Sequence, residues 1–470
     1  MDSSDIEGQN KSGMAKEIEH ASFTDDPSFS PEEEKALVRK IDLTLLPTIW
    51  IMYLLSYLDR TNIGNAKISG METDLELTSN QYSIALVVFF VGYVVFEVPS
   101  NLILVRSRPS IFLPSIMILW GLLTCLMAVI KDFKHLVVLR VIIGCVEAGF
   151  APGVLLVLSS WYKRTEQSKR FGVYISAAIL SGAFGGLLAA GIVDGLEGVH
   201  GIRGWRWLFI VEGAATIGFA IISLFILPDF PATSRRLSEH EKHVAVARLA
   251  TENVTATTED SEHLSNWQAI KVSVQDWRTW VFVVGYMVIV GSSTLTYFYP
   301  TLIKGLFGHA SNYKVNLLTV PIYGFAFICT AISSYYSDKI PTWRGLVIAC
   351  WLAFSLACSI IVCAVYNFTA RYVLLVLMAA GLWATNGGTL AYASSAFAGM
   401  NPQARGVSLA LVNALGNLAQ IYGSYLFPDS DSPKYIMGFS VISAMLALGV
   451  VVFTSLHIWF RHRTKSVIEE

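Results

Sequence analysis

Long apolar runs broken by short polar turns dominate this chain. Twelve of them, at approximately 43–63, 80–105, 109–130, 135–161, 168–194, 205–227, 278–303, 314–337, 344–365, 371–398, 405–427 and 435–460, are long enough to cross a bilayer, which takes about 20 apolar residues. In lipid a backbone must satisfy its own hydrogen bonds, so such runs predict helices. Six fall before residue 228 and six after residue 276, with one long hydrophilic interruption between. Inside it, Pro-Asp-Phe-Pro at 228–231 stops the sixth helix. Ser238 and Glu241 stand at capping-box spacing and open a short amphipathic helix through Leu249, while Thr251 to Ser265 reads as flexible linker. The expectation is an all-α membrane protein, twelve transmembrane helices in two six-helix bundles, the plan of an alternating-access carrier. Its parts are a disordered tail at 1–42, a first bundle at 43–230, a linker at 231–276, a second bundle at 277–462 and a short tail at 463–470.

Composition narrows the class further. Hydrophobic residues fill 54% of the 470 positions and charged ones 15%, far from the balance of soluble domains. A net charge of −1 offers nucleic acid no attraction. The six cysteines (Cys125, Cys145, Cys329, Cys350, Cys358 and Cys363) all lie in apolar runs without CxxC spacing, so they read as buried small hydrophobes. No nucleotide loop or Ser/His/Asp arrangement stands out, and His200, His240, His243 and His263 are in loops. No enzyme, cofactor or metal is expected.

Residues 1–42 are polar and acidic, without the basic and short apolar regions of a signal peptide. Orientation follows from Lys and Arg in the short loops. Arg106 and Arg108 follow the second run, Lys163, Arg164, Lys169 and Arg170 the fourth, Lys339 and Arg344 the eighth, Arg405 the tenth, and Arg461, Arg463 and Lys465 the twelfth. Lys67, Lys131, Lys134, Arg203 and Arg206 on the other side dilute the bias. Both termini and the linker are expected in the cytoplasm, which leaves the Asn253-Val-Thr sequon unused. A monomer in the plasma membrane is the default, with the vacuole as the alternative address.

One stretch breaks the apolar pattern: SYLDRTNIGNAK, Ser56 to Lys67, with Asp59 beside Arg60. A charge at the bilayer centre costs about 2.5–3.5 kcal/mol even on the lenient insertion scale, so such residues face a cavity or a partner. The competing reading is a pair that marks the membrane–water boundary. Charges recur in later runs, however: Glu97, near Tyr93, in the second, and Arg140 and Glu147 in the fourth. The latter two are seven residues apart, close to two turns, and so share a face. Gly144, Gly149 and Gly153 would let a helix or ligand approach closely. Glu212, near Arg203 and Arg206 in the sixth run, reads as structural.

The second half differs. The apolar cores of runs seven to twelve contain no Asp, Glu, Lys or Arg. They offer Tyr297, Tyr299, Tyr323, Trp383, Asn386, Asn413, Asn417 and Gln420, each also able simply to bond across helices. The fifth run, Ser176 to Gly191, repeats small residues at i and i+4, a pattern of tight helix packing. Asn386-Gly387-Gly388 either hinges or merely loosens the tenth.

Five stretches together resemble a known family: LDRTNIGNAK (58–67), FEVPSNLIL (96–104), GCVEAGFAPG (144–153), SSWYKRTEQSKR (159–170) and GWRWLFIVEG (204–213). They look like the major facilitator superfamily, within it the fungal allantoate permease branch of the anion:cation symporters. The likeness covers roughly residues 40 to 460 and is looser in the second half. It implies a central cavity lined by the first, fourth, seventh and tenth helices. It puts Asp59 and Glu147 at proton-coupling positions, Arg60 and Arg140 at charge-balancing and anion-contact positions, and Tyr93 where relatives have a substrate-contacting tyrosine. Two departures stand out. LVRSRPS (104–110) replaces the superfamily's GxxxD…GR(R/K) loop, keeping the basic charge without the Asp, and the fifth run lacks the proline of drug/proton antiporters.

The expected function is proton-coupled uptake of a small organic anion, a carboxylate or vitamin-like acid. An anion entering against −100 mV faces about 2.3 kcal/mol of electrical work, which one accompanying proton cancels. Asp59 and Glu147 are the candidate proton carriers. Arg60, Tyr93, Arg140, Tyr297, Asn386 and Asn413 are the candidate substrate contacts. The alternatives are a metabolite exporter on the same fold and a non-transporting nutrient receptor.

Overall fold

Capping chemistry sets where the first helix begins. The computed structural model describes residues 29–105, 107–257, 265–307, 310–397 and 399–469; the first 28 residues of the expected tail, Arg106 and linker positions 258–264 lie outside them. Ser30 Oγ accepts the Glu33 N–H at 3.2 Å while the Glu33 carboxylate accepts the Ser30 N–H at 2.7 Å. With Pro31 at the first helical position, this reciprocal cap starts helix α1 (Pro31–Ala66). Residues 31–42 are therefore helix, where disordered tail was expected. α1 ends in a π-helical turn, Lys67–Met71, whose Gly70 has φ 111°.

The rest of the first bundle is α2 (Ser79–Val105), α3 (Pro109–Leu126), α4 (Phe133–Glu147, resuming at Phe150–Trp161), α5 (Arg164–Leu196) and α6 (Gly204–Ile226). The second bundle opens with α7, which runs Trp277–Ser293, tightens to a 3₁₀ stretch at Thr294–Phe298 and continues Tyr299–Leu306. Then follow α8 (Thr319–Lys339), α9 (Arg344–Ala364), α10 (Phe368–Ala396), α11 (Pro402–Asn417, resuming at Ala419–Gly423) and α12 (Ile436–Glu469). Among the described residues, eleven helices are long and apolar enough to span a membrane. α11 is the twelfth: its break at Leu418 leaves pieces of 16 and 5 residues, each too short to cross alone.

The linker is more ordered than its polar composition suggested. It forms helices Glu239–Thr257 and Asn266–Gln275, so part of the stretch read as flexible is helical. Charge docks the first of these onto the bundle. Arg248 is buried and donates to the Glu166 carboxylate at 2.7 Å, to Glu34 at 3.0 Å and to the Trp161 carbonyl at 3.1 Å. Lys40 grips Glu241 at 2.7 Å and holds its carboxyl below the ordinary range.

Within the first bundle α3 packs on α6, α2 on α4, and α1 on α5 and α6; within the second, α9 packs on α10 and α12, α8 on α10, and α7 on α11. The bundles meet chiefly along α5 and α8. There the small-residue stripe has its use: a Cβ at Gly182 would sit 2.3 Å from the Tyr323 ring, and one at Gly186 2.1 Å from Thr319 Oγ1. α1 touches α7 just as closely, since a Cβ on Gly64 would lie 2.7 Å from the Tyr297 carbonyl.

The polar bonds between bundles cluster at the end remote from the linker. Lys67 Nζ lies 3.0 Å from Asp429 and 3.4 Å from Glu72, over the Tyr82 ring at 4.7 Å. Lys304 donates to the Ile68 carbonyl at 2.8 Å, and the Asp429 N–H to Ser79 Oγ at 3.0 Å. Lys67 is buried but both its acids are partly exposed, so these contacts are only modestly strong. Lys67→Met should loosen them. A cysteine at Thr301, which lines the cleft beside Lys67, is then expected to react severalfold faster with a thiol reagent. An unchanged rate would mean that Lys67 does not hold this end shut.

Candidate functional site

Successive residues on a helix point about 100° apart, and this separates Asp59 from Arg60. Asp59 turns inward to α3 and α6, where its Oδ2 accepts from Trp120 Nε1 at 3.2 Å and Thr216 Oγ1 at 2.9 Å. Arg60 turns to α2 and α4. Its Nη2 donates to Glu147 Oε1 at 2.7 Å, and the same oxygen accepts from Ser56 Oγ at 2.6 Å. The neighbours are therefore no boundary pair; each has its own buried partners.

Glu147 is 1% exposed and Arg140 4%. They share a face of α4, as their spacing required, yet do not pair with each other. Seven residues rise about 10.5 Å along a helix, too far for an ion pair, and it is Arg60 that reaches Glu147. Of the two charge-balancing and anion-contact positions, Arg60 is thus the one that balances a carboxylate. Among the described residues no Asp or Glu lies within ion-pair distance of Arg140, and its Nε is buried without a hydrogen-bond partner. Its guanidinium stands 5.4 Å from the Phe89 ring.

Aromatic rings close around the charges. The Arg60 guanidinium lies 5.0 Å from Tyr57, 5.2 Å from Phe89 and 5.1 Å from Tyr93. A small internal cavity is lined by Asp59, Arg60, Arg140, Glu147 and, from α6, Phe209. Glycine makes the arrangement possible: a Cβ at Gly144 would come 2.2 Å from the Phe89 carbonyl, so only glycine lets α4 lie this close to α2.

Of the second-bundle candidates, Tyr297 joins this group. It sits in the 3₁₀ break of α7, edge-on to Phe90 at 6.1 Å, its carbonyl accepting from Tyr82 Oη at 3.4 Å. Asn386 bonds Tyr286 Oη at 3.1 Å, linking α10 to α7. Asn413 stays apart, and its carbonyl accepts from Asn417 Nδ2 at 3.0 Å within α11.

Sequence reasoning missed several participants. Ser56 stood in the motif that drew attention, three residues from Asp59. Trp120 and Thr216 had no signal, since one tryptophan and one threonine in apolar runs look like ordinary core. Glu212 was judged by its nearness to Arg203 and Arg206, but these point elsewhere. Arg203 pairs with Asp74 and Glu197, each at 2.8 Å, and Arg206 donates to the Ala128 and Ile130 carbonyls.

Comparison with known proteins agrees with the architecture. Residues 49–424 match the model of the Major Facilitator Superfamily. The chain belongs to that family. It is a multi-pass membrane transporter and not an enzyme. It is 34% identical over 458 residues to the MFS transporter prlL of Fungal sp. (strain NRRL 50135), covering 94% of this chain and 90% of that protein. The high-affinity nicotinic acid transporter of Saccharomyces cerevisiae is 29% identical over 445 residues, covering 94% and 81%. Among solved structures, a bacterial homolog of the human lysosomal transporter Spinster, inward-facing and unoccupied, superposes with a TM-score of 0.69 at 15% identity, over 92% of this chain and 97% of that one. That likeness is one of fold alone.

Proposed function

We propose that this transporter carries a small organic carboxylate together with a proton, as a member of the anion:cation symporter branch. The supporting observation is Arg140, a buried guanidinium without an acidic partner among the described residues. Sequestering an unpaired cation is costly, and an anionic substrate supplies the missing charge. The Arg60–Glu147 pair beside it gives the coupling: a proton on Glu147 weakens its hold on Arg60 and frees a second guanidinium for the carboxylate. Asp59 is the second proton carrier. Tyr93 and Tyr297 flank the anion, while Asn386, held by Tyr286, and Asn413, within α11, are remoter contacts. The rings around Arg60 suit a flat acid, and the similarity to a nicotinic acid transporter puts nicotinate first among candidates.

The carrier acts as a monomer in the plasma membrane, with both termini and the linker in the cytoplasm. A cysteine replacing Glu239, an exposed linker position, should resist impermeant reagent in intact cells and react after permeabilisation; labelling from outside would reverse the orientation. The function itself is tested by uptake of a panel of organic acids, nicotinate included, into cells with and without the protein at two external pH values. The expected result is protein-dependent uptake of a carboxylate that rises at the lower pH. Net efflux, or uptake indifferent to pH, would overturn the proposal.

A further inference from the structure

α6 brings a third carboxylate to the interior of the first bundle. Glu212 is 1% exposed, and neither carboxylate oxygen has a hydrogen-bond partner. Its place on the helix is informative. Phe209, three residues before it, lines the cavity of the charged cluster, and Thr216, four residues after, bonds Asp59. Residues at these intervals share one helical face, so Glu212 lies on the side of α6 that borders Asp59, its charged neighbour.

Facing this stretch of α6 are Asp59 and Arg60 of α1 and Cys125 of α3, with Arg140 of α4 lining the same cavity as Phe209, while Lys67, Asp74 and Glu197 lie towards the start of α6. Most are committed elsewhere. Arg60 bonds Glu147, Lys67 bonds Asp429, and Asp74 and Glu197 bond Arg203. Cys125 Sγ faces the Ile210 carbonyl at 3.7 Å. Arg140 has no acid of its own, yet among the described residues no cation lies within ion-pair distance of Glu212, and Asp59 has one oxygen, Oδ1, buried and unpartnered.

We propose that Glu212 is a proton-binding residue and that its protonation is coupled to that of Asp59 beside it. The two acids differ in support. Asp59 Oδ2 accepts two hydrogen bonds, which favour a charge there, and Glu212 accepts none. With one proton on the pair, the charge therefore rests on Asp59 and the proton on Glu212. This deepens the proton-coupled reading above and rests on it, since it sets a second proton-binding acid beside Asp59.

The test is an infrared pH titration of purified, membrane-reconstituted protein without substrate, so its outcome is separate from that of the uptake assay. The wild type should show a protonated carboxylic-acid band at neutral pH that Glu212→Gln removes. In Asp59→Asn the midpoint at which this band titrates should move by about one pH unit or more, the mark of coupled acids. A band that persists in Glu212→Gln belongs to another acid and overturns the assignment. A midpoint unmoved in Asp59→Asn makes Glu212 an isolated structural acid and overturns the pair. Should Glu212→Gln not be recovered, Glu212→Asp keeps the acid and is expected to shift the band in frequency; an unshifted band overturns the proposal equally.

Discussion

Arg140→Lys is expected to lower apparent affinity for a carboxylate substrate by about 10- to 100-fold while protein abundance stays near normal. The substitution keeps the charge, so a simple need for positive potential would leave transport intact. What it removes is the planar fork that engages both oxygens of a carboxylate, and one charge-assisted hydrogen bond is worth about 1.5–3 kcal/mol. The local chemistry makes Arg140 a clean test. Among the described residues it holds no carboxylate in place, so none of them is stranded when its geometry changes. Arg60→Lys would be harder to read, because it also disturbs the 2.7 Å contact to Glu147 and the rings of Tyr57, Phe89 and Tyr93. Concentration-dependent uptake of the acid that the panel identifies, with surface protein quantified, decides it. Near-normal affinity in the lysine variant would remove Arg140 from the substrate site.

The fold was legible because a bilayer leaves the chain few choices. Apolar runs of spanning length, with one long polar break half-way, led to two six-helix bundles. The boundaries were less legible where local capping overrode composition: Ser30 and Glu33 extend α1 into an acidic segment that looked like tail. Arg248 anchors the linker helix that Ser238 and Glu241 open, which runs on to Thr257 into the stretch that looked flexible. At the site, charges in apolar surroundings were conspicuous, and Asp59, Arg60, Arg140 and Glu147 do line one cavity. Which of them pair was not legible. Spacing along α4 gives a shared face but cannot say which helix crosses it, and the crossing of α1 decides that Arg60, not Arg140, meets Glu147. The same blindness to crossings hid the surroundings of Glu212, whose sequence neighbours Arg203 and Arg206 are occupied at the end of the helix.

Glu147→Gln should abolish concentrative uptake, retain exchange of labelled for unlabelled substrate, and flatten the dependence of uptake on external pH. The sign follows from the pairing. In the proposed cycle the proton carried with the substrate sits on Glu147, which releases Arg60 and lets the loaded carrier turn over, so uptake is expected to rise as external pH falls. Glutamine imitates the protonated acid permanently. Its amide oxygen still accepts from Ser56 and Arg60, which limits the damage, whereas breaking a buried ion pair outright costs about 3–5 kcal/mol. Asp59→Asn is the companion variant and the safer one for folding, because asparagine can still accept from Trp120 and Thr216 and no cation depends on Asp59. It too should lose accumulation. If both carboxylates served only to hold the bundle together, Glu147→Gln would be depleted from the membrane and Asp59→Asn would transport normally. Measuring flux and surface abundance together separates these outcomes. Variants that are abundant and still concentrate substrate with wild-type pH dependence would take both residues out of the coupling mechanism, leaving Arg60–Glu147 as a structural pair beside an anion site worked by Arg140.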